Sequence, residues 1–322
     1  MITIAGAGLA GLASAYELCR RGVAVDLFDL GDAPGSNSVA RFAGGMLAPW
    51  CERESAEEDV ITLGASAADW WAQVTPVTRN GTLVLASPRD RVELARFARR
   101  TTGHHSVTKT EISAMEPAFM GQFEQGLFFT DEAHLDPRRA LADLAAKVQD
   151  LGGTIHFATT APDRVDLDCT GMAAKLPDLR PVRGEMAILQ CPEVEITRTI
   201  RLLHPRMPLY LVPRGDGIYM IGGTMIESSS NRPPSLRSVS ELLNAAYTLH
   251  PAFAEASVME LGAGLRPTFP DNLPRLIQHE GRLHLNGLYR HGFLLAPAMA
   301  SKAADLLLSE VPDEHHRQRA TA

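Results

Sequence analysis

Short apolar runs separated by a glycine-rich segment set the pattern at the start of the chain. Ile2 to Ala5 form the first run, and Val23 to Leu30 form the second. Between them, small and apolar residues from Leu9 to Cys19 have the spacing that is typical of a buried helix. The pattern therefore predicts a strand, a helix and a second strand, which is the beginning of a parallel α/β sheet.

Capping residues and amphipathic spacing predict the other helices. Ser55 and Glu58 resemble a capping box, so we expect a helix from Ser55 to about Val74. Further helices are predicted from Ser87 to near Gly103, from Asp136 through Val148, from Ser238 to about Leu249 and from Phe293 to Glu310. His104 and His105 have no cysteine or carboxylate partners in sequence and are predicted to lie in a loop.

Strand patterns dominate the segment from Arg183 to Gly264. Leu209 to Pro213 and Ile218 to Ile221 flank a glycine-containing turn, which is typical of a β-hairpin. The remaining predicted strands are Thr82–Ala86, Leu127–Thr130, Thr154–Phe157, Val165–Cys169, Val258–Gly262 and Leu283–Leu288. Three prolines between Arg266 and Pro274 predict an extended loop. We therefore expect an antiparallel sheet with a covering helix beside the parallel one.

A glycine motif, GAGLAG, lies between the first strand and the first helix. Gly6 allows a tight turn, Gly8 lets the backbone approach a pyrophosphate, and Gly11 lets the helix pack on the strand. Asp29 ends the second strand about 20 residues later, where a carboxylate meets a ribose hydroxyl in dinucleotide-binding folds. The combination predicts a dinucleotide site at the helix N-terminus.

The composition indicates a globular protein and argues against nucleic-acid and membrane partners. The 322 residues are 45% hydrophobic and 21% charged, which is ordinary for a globular protein. A net charge of −7 excludes a basic nucleic-acid footprint. No apolar run is expected to span a bilayer, and the first strand begins at Ile2, so we expect no membrane partner, no export signal and a cytoplasmic location. The four cysteines are predicted to be buried thiols.

The distribution of motifs indicates that a cofactor carries the chemistry. The sequence contains no HExxH, GxSxG or CxxC motif and no glycine-rich loop ending in Lys-Ser or Lys-Thr, so we expect no metal site. A single GxGxxG indicates one dinucleotide rather than a flavin plus a nicotinamide. A second run of small residues from Val39 to Pro49 fits either close approach to a flat ring or a tight turn.

Two arginines lie where α/β proteins place ligands. Arg266 follows an apolar strand, and Arg290 lies between a strand and a helix. A guanidinium at such a position can bind a carboxylate through two parallel hydrogen bonds. The alternative for each arginine is an ion pair with an acidic neighbour in the protein. The sequence does not favour either carboxylate binding or the ion pair.

Five motifs in order resemble a known family. They are GAGLAG with Asp29, ARFAGGMLAP, YLVPR leading to IGGTM, GLRPTFPDNLP and NGLYRHGFLLAPA. The chain from Met1 to about Glu310 is thereby similar to the FAD-dependent amine oxidoreductases of the D-amino-acid oxidase superfamily, and most similar to the glycine oxidase family of the thiamine pathway. The resemblance implies a Rossmann-type FAD-binding domain interleaved with an antiparallel-sheet (α+β) substrate domain.

The resemblance also implies domain bounds and FAD contacts. The FAD-binding domain would comprise residues 1–75, 134–180 and 265–311, the substrate-binding domain residues 76–133 and 181–264, and residues 312–322 a disordered tail. The implied FAD contacts are Gly6, Gly8, Leu9, Ala10, Gly11, Asp29, Leu30, Val39, Ala40, Gly44, Gly45, Met46, Ala161, Leu288, Tyr289, Arg290, His291, Gly292, Phe293 and Leu294. Family members carry a small β-meander where only Thr159 to Arg164 stand here, so the adenine edge is trimmed.

The same resemblance implies the reaction. Arg266 would bind the substrate carboxylate with Tyr210 beside it, Arg290 would be a second substrate-side arginine, and Met225 would limit side-chain size. Hydride would pass from glycine Cα to flavin N5 with no obligatory side-chain acid or base, giving imine or glyoxylate, ammonia and hydrogen peroxide. Expected partners are a small amino acid, O2, thiazole synthase and further copies of the chain.

Two alternatives stay open in the sequence. One is a D-amino-acid or sarcosine oxidase or dehydrogenase, the latter passing electrons to a carrier other than oxygen. The other is a non-catalytic FAD-binding subunit. Retention of both Arg266 and Tyr210 argues against the second, because a structural subunit needs no carboxylate clamp.

Overall fold

The computed structural model describes residues 1–204 and 208–309. Its strands are β1 (Ile2–Ala5), β2 (Val25–Phe28), β3 (Met46–Leu47), β4 (Thr82–Ala86), β5 (His105–Thr108), β6 (Gln125–Phe129), β7 (Ala133–His134), β8 (Thr154–His156), β9 (Leu167–Asp168), β10 (Arg180–Gln190), β11 (Thr199–Leu203), β12 (Leu209–Gly215), β13 (Ile218–Gly222), β14 (Ile226–Glu227), β15 (Ser257–Thr268), β16 (Arg275–His279) and β17 (Arg282–Asn286). Its helices are α1 (Leu9–Arg20), α2 (Pro49–Glu52), α3 (Glu58–Gly64), α4 (Ala67–Trp71), α5 (Arg91–Arg100), α6 (Lys109–Met115), α7 (Pro137–Asp150), α8 (Leu236–Leu249) and α9 (Gly292–Ser309).

One sheet is built around the N-terminal strand. Its order is β16-β17-β9-β1-β2-β8. The pairs that include β1, β2, β8 and β9 are parallel, and only β16 runs antiparallel to its neighbour β17. Ile4 and Leu27 are fully buried in this sheet because α1, α7 and α9 pack against it. A parallel sheet with such continuous apolar strands is buried on both faces.

The second sheet is mixed and longer. Its order is β14-β10-β13-β12-β11-β4-β6-β5, and β15 pairs with β10 along most of its length. The pairs are antiparallel except for β11 with β4. Its own apolar core includes Leu83, Leu211 and Leu242, the last on the covering helix α8. A third apolar cluster, which includes Val84, Phe97 and Phe129, joins β4, α5 and β6. The two sheets therefore bury separate cores.

Two helix starts differ from the predicted ones. The predicted helix from Ser55 to Val74 is wrong, because α3 begins after Glu57 without a side-chain cap and is separated from α4. The hydroxyl of Ser55 instead accepts a hydrogen bond from Arg290 Nη2 at 2.7 Å. The helix predicted from Ser238 begins at Leu236, because the hydroxyl of Ser235 accepts the capping bond from the Ser238 amide.

Strand pairing overrides two loop predictions. The extended loop predicted from Arg266 is wrong at its start, because β15 continues to Thr268 opposite the full length of β10. The proline at 267 fits there because β15 pairs only with β10 among the described strands, and an edge strand tolerates a missing amide donor. His105 was predicted in a loop but begins β5, which pairs with β6.

The expectation that no apolar run is long enough to span a bilayer is wrong for the C-terminal helix α9. Gly292–Ser309 has 18 residues and a mean hydropathy of 1.2, so its length and composition alone would suffice. However, 56% of the helix is buried, and it packs on α1, α3 and α4. Trp71 Nε1 donates to Phe293 O at 2.7 Å across this packing. Core burial therefore accounts for its composition. The predicted disordered tail lies outside the described residues.

Candidate active site

A cavity of about 860 Å³ lies between the two sheets. Its walls come from the β1–α1 turn, residues 36–46, residues 285–294 and the facing parts of β10 and β15. All predicted site residues line it except Gly11. The structure thus brings together segments that are almost 300 residues apart in sequence. The contacts assigned to them by resemblance remain predictions.

The glycines of the β1–α1 turn are required by close backbone approach. Gly6 has φ +95°, and a Cβ there would lie 2.7 Å from Cys169 O. A Cβ on Gly11 would lie 1.8 Å from Gly6 O, so Gly11 serves the packing of helix on turn, not the cavity wall. Gly8 precedes α1 and provides no side-chain cap. The first amides of α1 are therefore left for an anion, which the helix dipole favours.

The carboxylate of Asp29 lies beside this turn, at the end of β2. Its Oδ2 accepts from the Ala7 amide at 2.5 Å, and its Oδ1 accepts from the Gly31 amide at 2.6 Å. These bonds fix its position on the cavity wall, while a carboxylate retains further lone pairs for hydroxyl donors. A ribose hydroxyl is the donor expected here in dinucleotide-binding folds.

The small-residue segment before β3 is held by an arginine that the sequence analysis did not single out. Arg214 Nη1 donates to Leu135 O at 2.7 Å, and Nη2 donates to Gly44 O at 2.9 Å and to Ala43 O at 3.3 Å. Burial lowers the pKa of Arg214 to about 10. A Cβ on Gly45 would lie 2.2 Å from Leu135 O, so no side chain fits at this position.

Arg266 and Tyr210 meet on the part of the cavity wall that the second sheet provides. A Cβ on Gly223 would lie 2.7 Å from the Tyr210 hydroxyl and 3.5 Å from Arg266 Nη2, so both groups converge above this glycine. A Cβ on Gly184 would lie 2.1 Å from Arg266 Nη2, which means that the guanidinium lies directly against the β10 backbone. Glycines at these positions leave room for the pair.

The Arg266 guanidinium has no acidic partner in the described part of the chain. Its Nη1 donates to Thr224 O at 2.9 Å. Burial lowers the pKa of Arg266, and burial raises the pKa of Tyr210. A buried cation without a counter-ion is unfavourable unless an anion joins it. The geometry is therefore complementary to an incoming carboxylate.

Arg290, in contrast, forms the ion pair that was its alternative interpretation. Its Nη2 donates to Glu52 Oε2 at 2.6 Å. Arg201 Nη1 lies 3.2 Å from Glu52 Oε1, and His291 Nδ1 lies 3.5 Å from Glu52 Oε2. Burial by itself would raise the pKa of Glu52, but Arg290, Arg201 and His291 outweigh it and lower this pKa to about 2. The carboxylate is thus ionised and fully engaged.

Met225 lies at the rim of the cavity and is 51% exposed. Its Sδ lies 3.4 Å from the Tyr289 hydroxyl and 3.5 Å from Arg290 Nη1. Ala161 also lines the cavity, although the segment around it is short. Residues 1–204 and 208–309 contain no cluster of three or more His, Cys, Asp or Glu side chains that could hold a metal ion.

Comparison with known proteins decides the family. The model of the family described as "FAD dependent oxidoreductase" matches residues 1–306. The chain belongs to the FAD-dependent oxidoreductase family. A relative from Rhizobium etli, named "Putative thiamine biosynthesis oxidoreductase ThiO", is 53% identical over 317 residues that cover 96% of this chain and 97% of the relative.

Other proteins that resemble the chain are more distant. A "Bifunctional protein ThiO/ThiG" from Nostoc sp. is 25% identical over 97% of this chain and 53% of its own length. The crystal structure of glycine oxidase from Geobacillus kaustophilus superposes with a TM-score of 0.81 at 23% identity, covering 97% of this chain and 95% of that one. The structural match confirms the predicted fold class, and the family model over residues 1–306 confirms FAD as the cofactor.

The residues of the cavity fit FAD, as the family requires. The free amides of α1 suit the pyrophosphate, and Asp29 suits the ribose. Gly44 and Gly45 line the cavity, and the absence of side chains there lets this segment pack directly against the Tyr210 ring and Leu135 O, which leaves the cavity open for a ring system. We therefore assign these segments as the ones that would hold FAD.

Glu52, Arg201 and Arg214 were not among the site residues predicted from the sequence. Arg214 stands in the YLVPR motif, which was a signal that could have drawn attention to it. Glu52 and Arg201 are almost 150 residues apart, and their pairing depends on the packing of α2 against β11. No sequence spacing indicates such a contact.

Proposed function

We propose that the protein oxidises glycine and other small amino acids to the imine, with FAD as the acceptor. The observation that carries the proposal is the partly buried Arg266 guanidinium, which has no carboxylate partner in residues 1–204 and 208–309 and lines the cavity beside Tyr210. Hydrolysis of the imine would give glyoxylate and ammonia, and molecular oxygen would be reduced to hydrogen peroxide.

The chain's own residues bind and orient the substrate. Arg266 offers a planar fork to the carboxylate, and Tyr210 supplies a hydroxyl beside it. FAD supplies the hydride acceptor when bound. Glycine has no side chain, so its Cα–H can be directed only by holding the carboxylate and the amine, and such positioning is worth several orders of magnitude in rate.

We further propose that the imine serves thiamine thiazole synthesis, with thiazole synthase as a partner. The name of the Rhizobium etli relative and the ThiO/ThiG fusion in Nostoc support this role. A cytoplasmic location, assembly into a homo-oligomer and the predicted domain bounds belong to the same proposal. The homo-oligomer and the domain bounds rest on the family resemblance.

The alternatives predict different measurements. A D-amino-acid or sarcosine oxidase would prefer those substrates to glycine, a dehydrogenase would reduce a dye under argon without forming peroxide in air, and a non-catalytic subunit would oxidise none of them. The test is oxygen consumption and peroxide formation by the purified FAD-loaded protein with glycine, sarcosine and D-alanine. If the protein oxidised none of the three substrates, the proposal would be overturned.

A further inference from the structure

Arg201, Arg266 and Arg290 are partly buried and line the cavity, and one carboxylate, that of Glu52, engages two of them. Glu52 lies between Arg201 and Arg290, with both of its oxygens occupied. Arg201 is the cross-strand partner of Tyr210, which places it on the same wall. Arg266 keeps its charge unpaired within the described chain. The site is thereby prepared for one added negative charge at Arg266.

Arg290 is the group that could accept a second carboxylate. It lines the same cavity as Arg266, and its charge contributes to lowering the pKa of Arg266 after burial, the largest cause. The Nη2 atom that faces Glu52 also donates to the Ser55 hydroxyl at 2.7 Å. Arg290 Nη2 is therefore occupied, its Nη1 faces only the Met225 sulfur at 3.5 Å among the described residues, and a carboxylate that approached this guanidinium would lie close to the negative charge of Glu52.

We propose that Glu52 is a specificity-determining residue that restricts the site to monocarboxylate amino acids by occupying Arg290. This inference rests on the proposed oxidation of small amino acids. A dicarboxylate such as iminodiacetate, which is glycine with a second carboxymethyl group on its nitrogen, would have to displace Glu52 from Arg290 or place its second carboxylate beside the carboxylate of Glu52. Both are unfavourable.

The test compares glycine with iminodiacetate in the FAD-loaded wild-type protein and in Glu52→Gln. We expect the ratio of kcat/KM for iminodiacetate to kcat/KM for glycine to rise at least tenfold in Glu52→Gln, because the amide releases the Arg290 fork. An unchanged ratio would overturn the proposal, whether or not both activities fall. A wild-type enzyme that oxidises iminodiacetate as well as glycine would also overturn it, without any variant.

Glu116→Gln is the matched control. Glu116 is a fully buried carboxylate that accepts from Arg198 Nε at 2.7 Å, and neither residue lines the cavity. Its removal should lower the unfolding free energy without changing the substrate ratio. A purely structural role for Glu52 would give the Glu116→Gln result.

A second variant covers the case in which Glu52→Gln fails to fold because two guanidinium groups lose their counter-ion. Glu52→Gln combined with Arg201→Met removes one charge of each sign and leaves Arg290 free. The same tenfold gain for iminodiacetate is expected. Its absence in the folded double variant would overturn the proposal.

A binding measurement separates this inference from the proposed function. Acetate and malonate are titrated against the visible spectrum of the FAD-loaded protein, which requires no turnover. Acetate should bind both proteins, whereas malonate should gain at least tenfold in affinity in Glu52→Gln. If the wild-type protein oxidises no amino acid but this pattern is found, the proposed reaction fails and the role of Glu52 stands. If malonate gains nothing, the role of Glu52 fails.

Discussion

At the scale of single residues, Arg266 dominates the expected chemistry. Replacing it with alanine should reduce kcat/KM for glycine by at least about 100-fold, because orientation and a charged hydrogen bond are both lost. Arg266→Lys should also be strongly impaired, since an ammonium cannot form the planar two-bond fork. Both variants should keep FAD and the fold, because no acidic partner in the described chain loses its counter-ion. Steady-state kinetics and the flavin spectrum measure these effects.

Arg198→Lys provides the control for Arg266→Lys. Arg198 pairs with buried Glu116 away from the cavity, so this change should alter stability but not KM for glycine. If Arg266→Ala retained near-normal turnover of glycine, the assignment of the carboxylate clamp would be wrong.

Glu132 should make the stability of the protein depend on pH. Burial raises its pKa from 4.5 to about 7; the Cys51 amide donates to its Oε1 at 2.6 Å, and its Oε2 has no hydrogen-bond partner among the described residues. Between pH 4.5 and 7 the folded state retains a proton that the unfolded chain has released, so the unfolding free energy falls as pH rises, by about 3 kcal/mol in total.

Glu132→Gln should remove most of this dependence. The amide oxygen still accepts from Cys51, and no charge has to be buried at high pH. We expect the variant to be more stable than the wild type above pH 7 and no more stable near pH 4.5. Thermal unfolding from pH 4.5 to 8 measures the difference. Parallel curves for the two proteins would contradict the raised pKa.

At the scale of elements, the segment before β3 depends on a side chain from β12. Arg214 binds the carbonyls of Ala43, Gly44 and Leu135 and so fixes the wall that would contact the flavin ring. Arg214→Lys should weaken FAD binding about tenfold, because an ammonium cannot span carbonyls on two separate segments. Titration of the apoprotein with FAD measures this directly.

Arg180→Lys is a suitable control for Arg214→Lys. Arg180 lies at the start of β10 and binds exposed Glu227, outside the cavity lining. The Arg180→Lys variant should therefore bind FAD with the affinity of the wild type. Equal affinities for wild type and Arg214→Lys would show that the segment needs no such support.

The predicted elements were correct where a local pattern decided them. β1, α1, β4 and α7 lie close to the expected positions, because each combines apolar periodicity with a glycine, proline or capping residue. The prediction failed at Ser55, whose hydroxyl binds Arg290 instead of capping a helix. It failed again at Arg266, where pairing with β10 outweighed the adjacent proline.

At the scale of the whole molecule, FAD binding should stabilise the entire fold. The cavity walls come from both sheets, so a ligand in it contacts segments from the N-terminus to α9. Ligand at about 100 times its dissociation constant adds about 2.7 kcal/mol to the unfolding free energy. We therefore expect a yellow protein that contains FAD and no nicotinamide, and whose apo form melts several degrees lower. A colourless folded protein that takes up no FAD would contradict the cofactor assignment.

The sequence by itself determined the FAD-binding fold class and the glycine turn. Its motifs also led to the expectation that Arg266 binds the substrate carboxylate with Tyr210 beside it. These features depend on local backbone geometry or on motifs a few residues long. The state of Arg290 and the roles of Glu52 and Arg214 were decided only by the tertiary structure. The interaction between charged groups depends on the distance between them. The side chains of α2, β11, β12 and the segment before α9 come within contact distance only when the two sheets pack together.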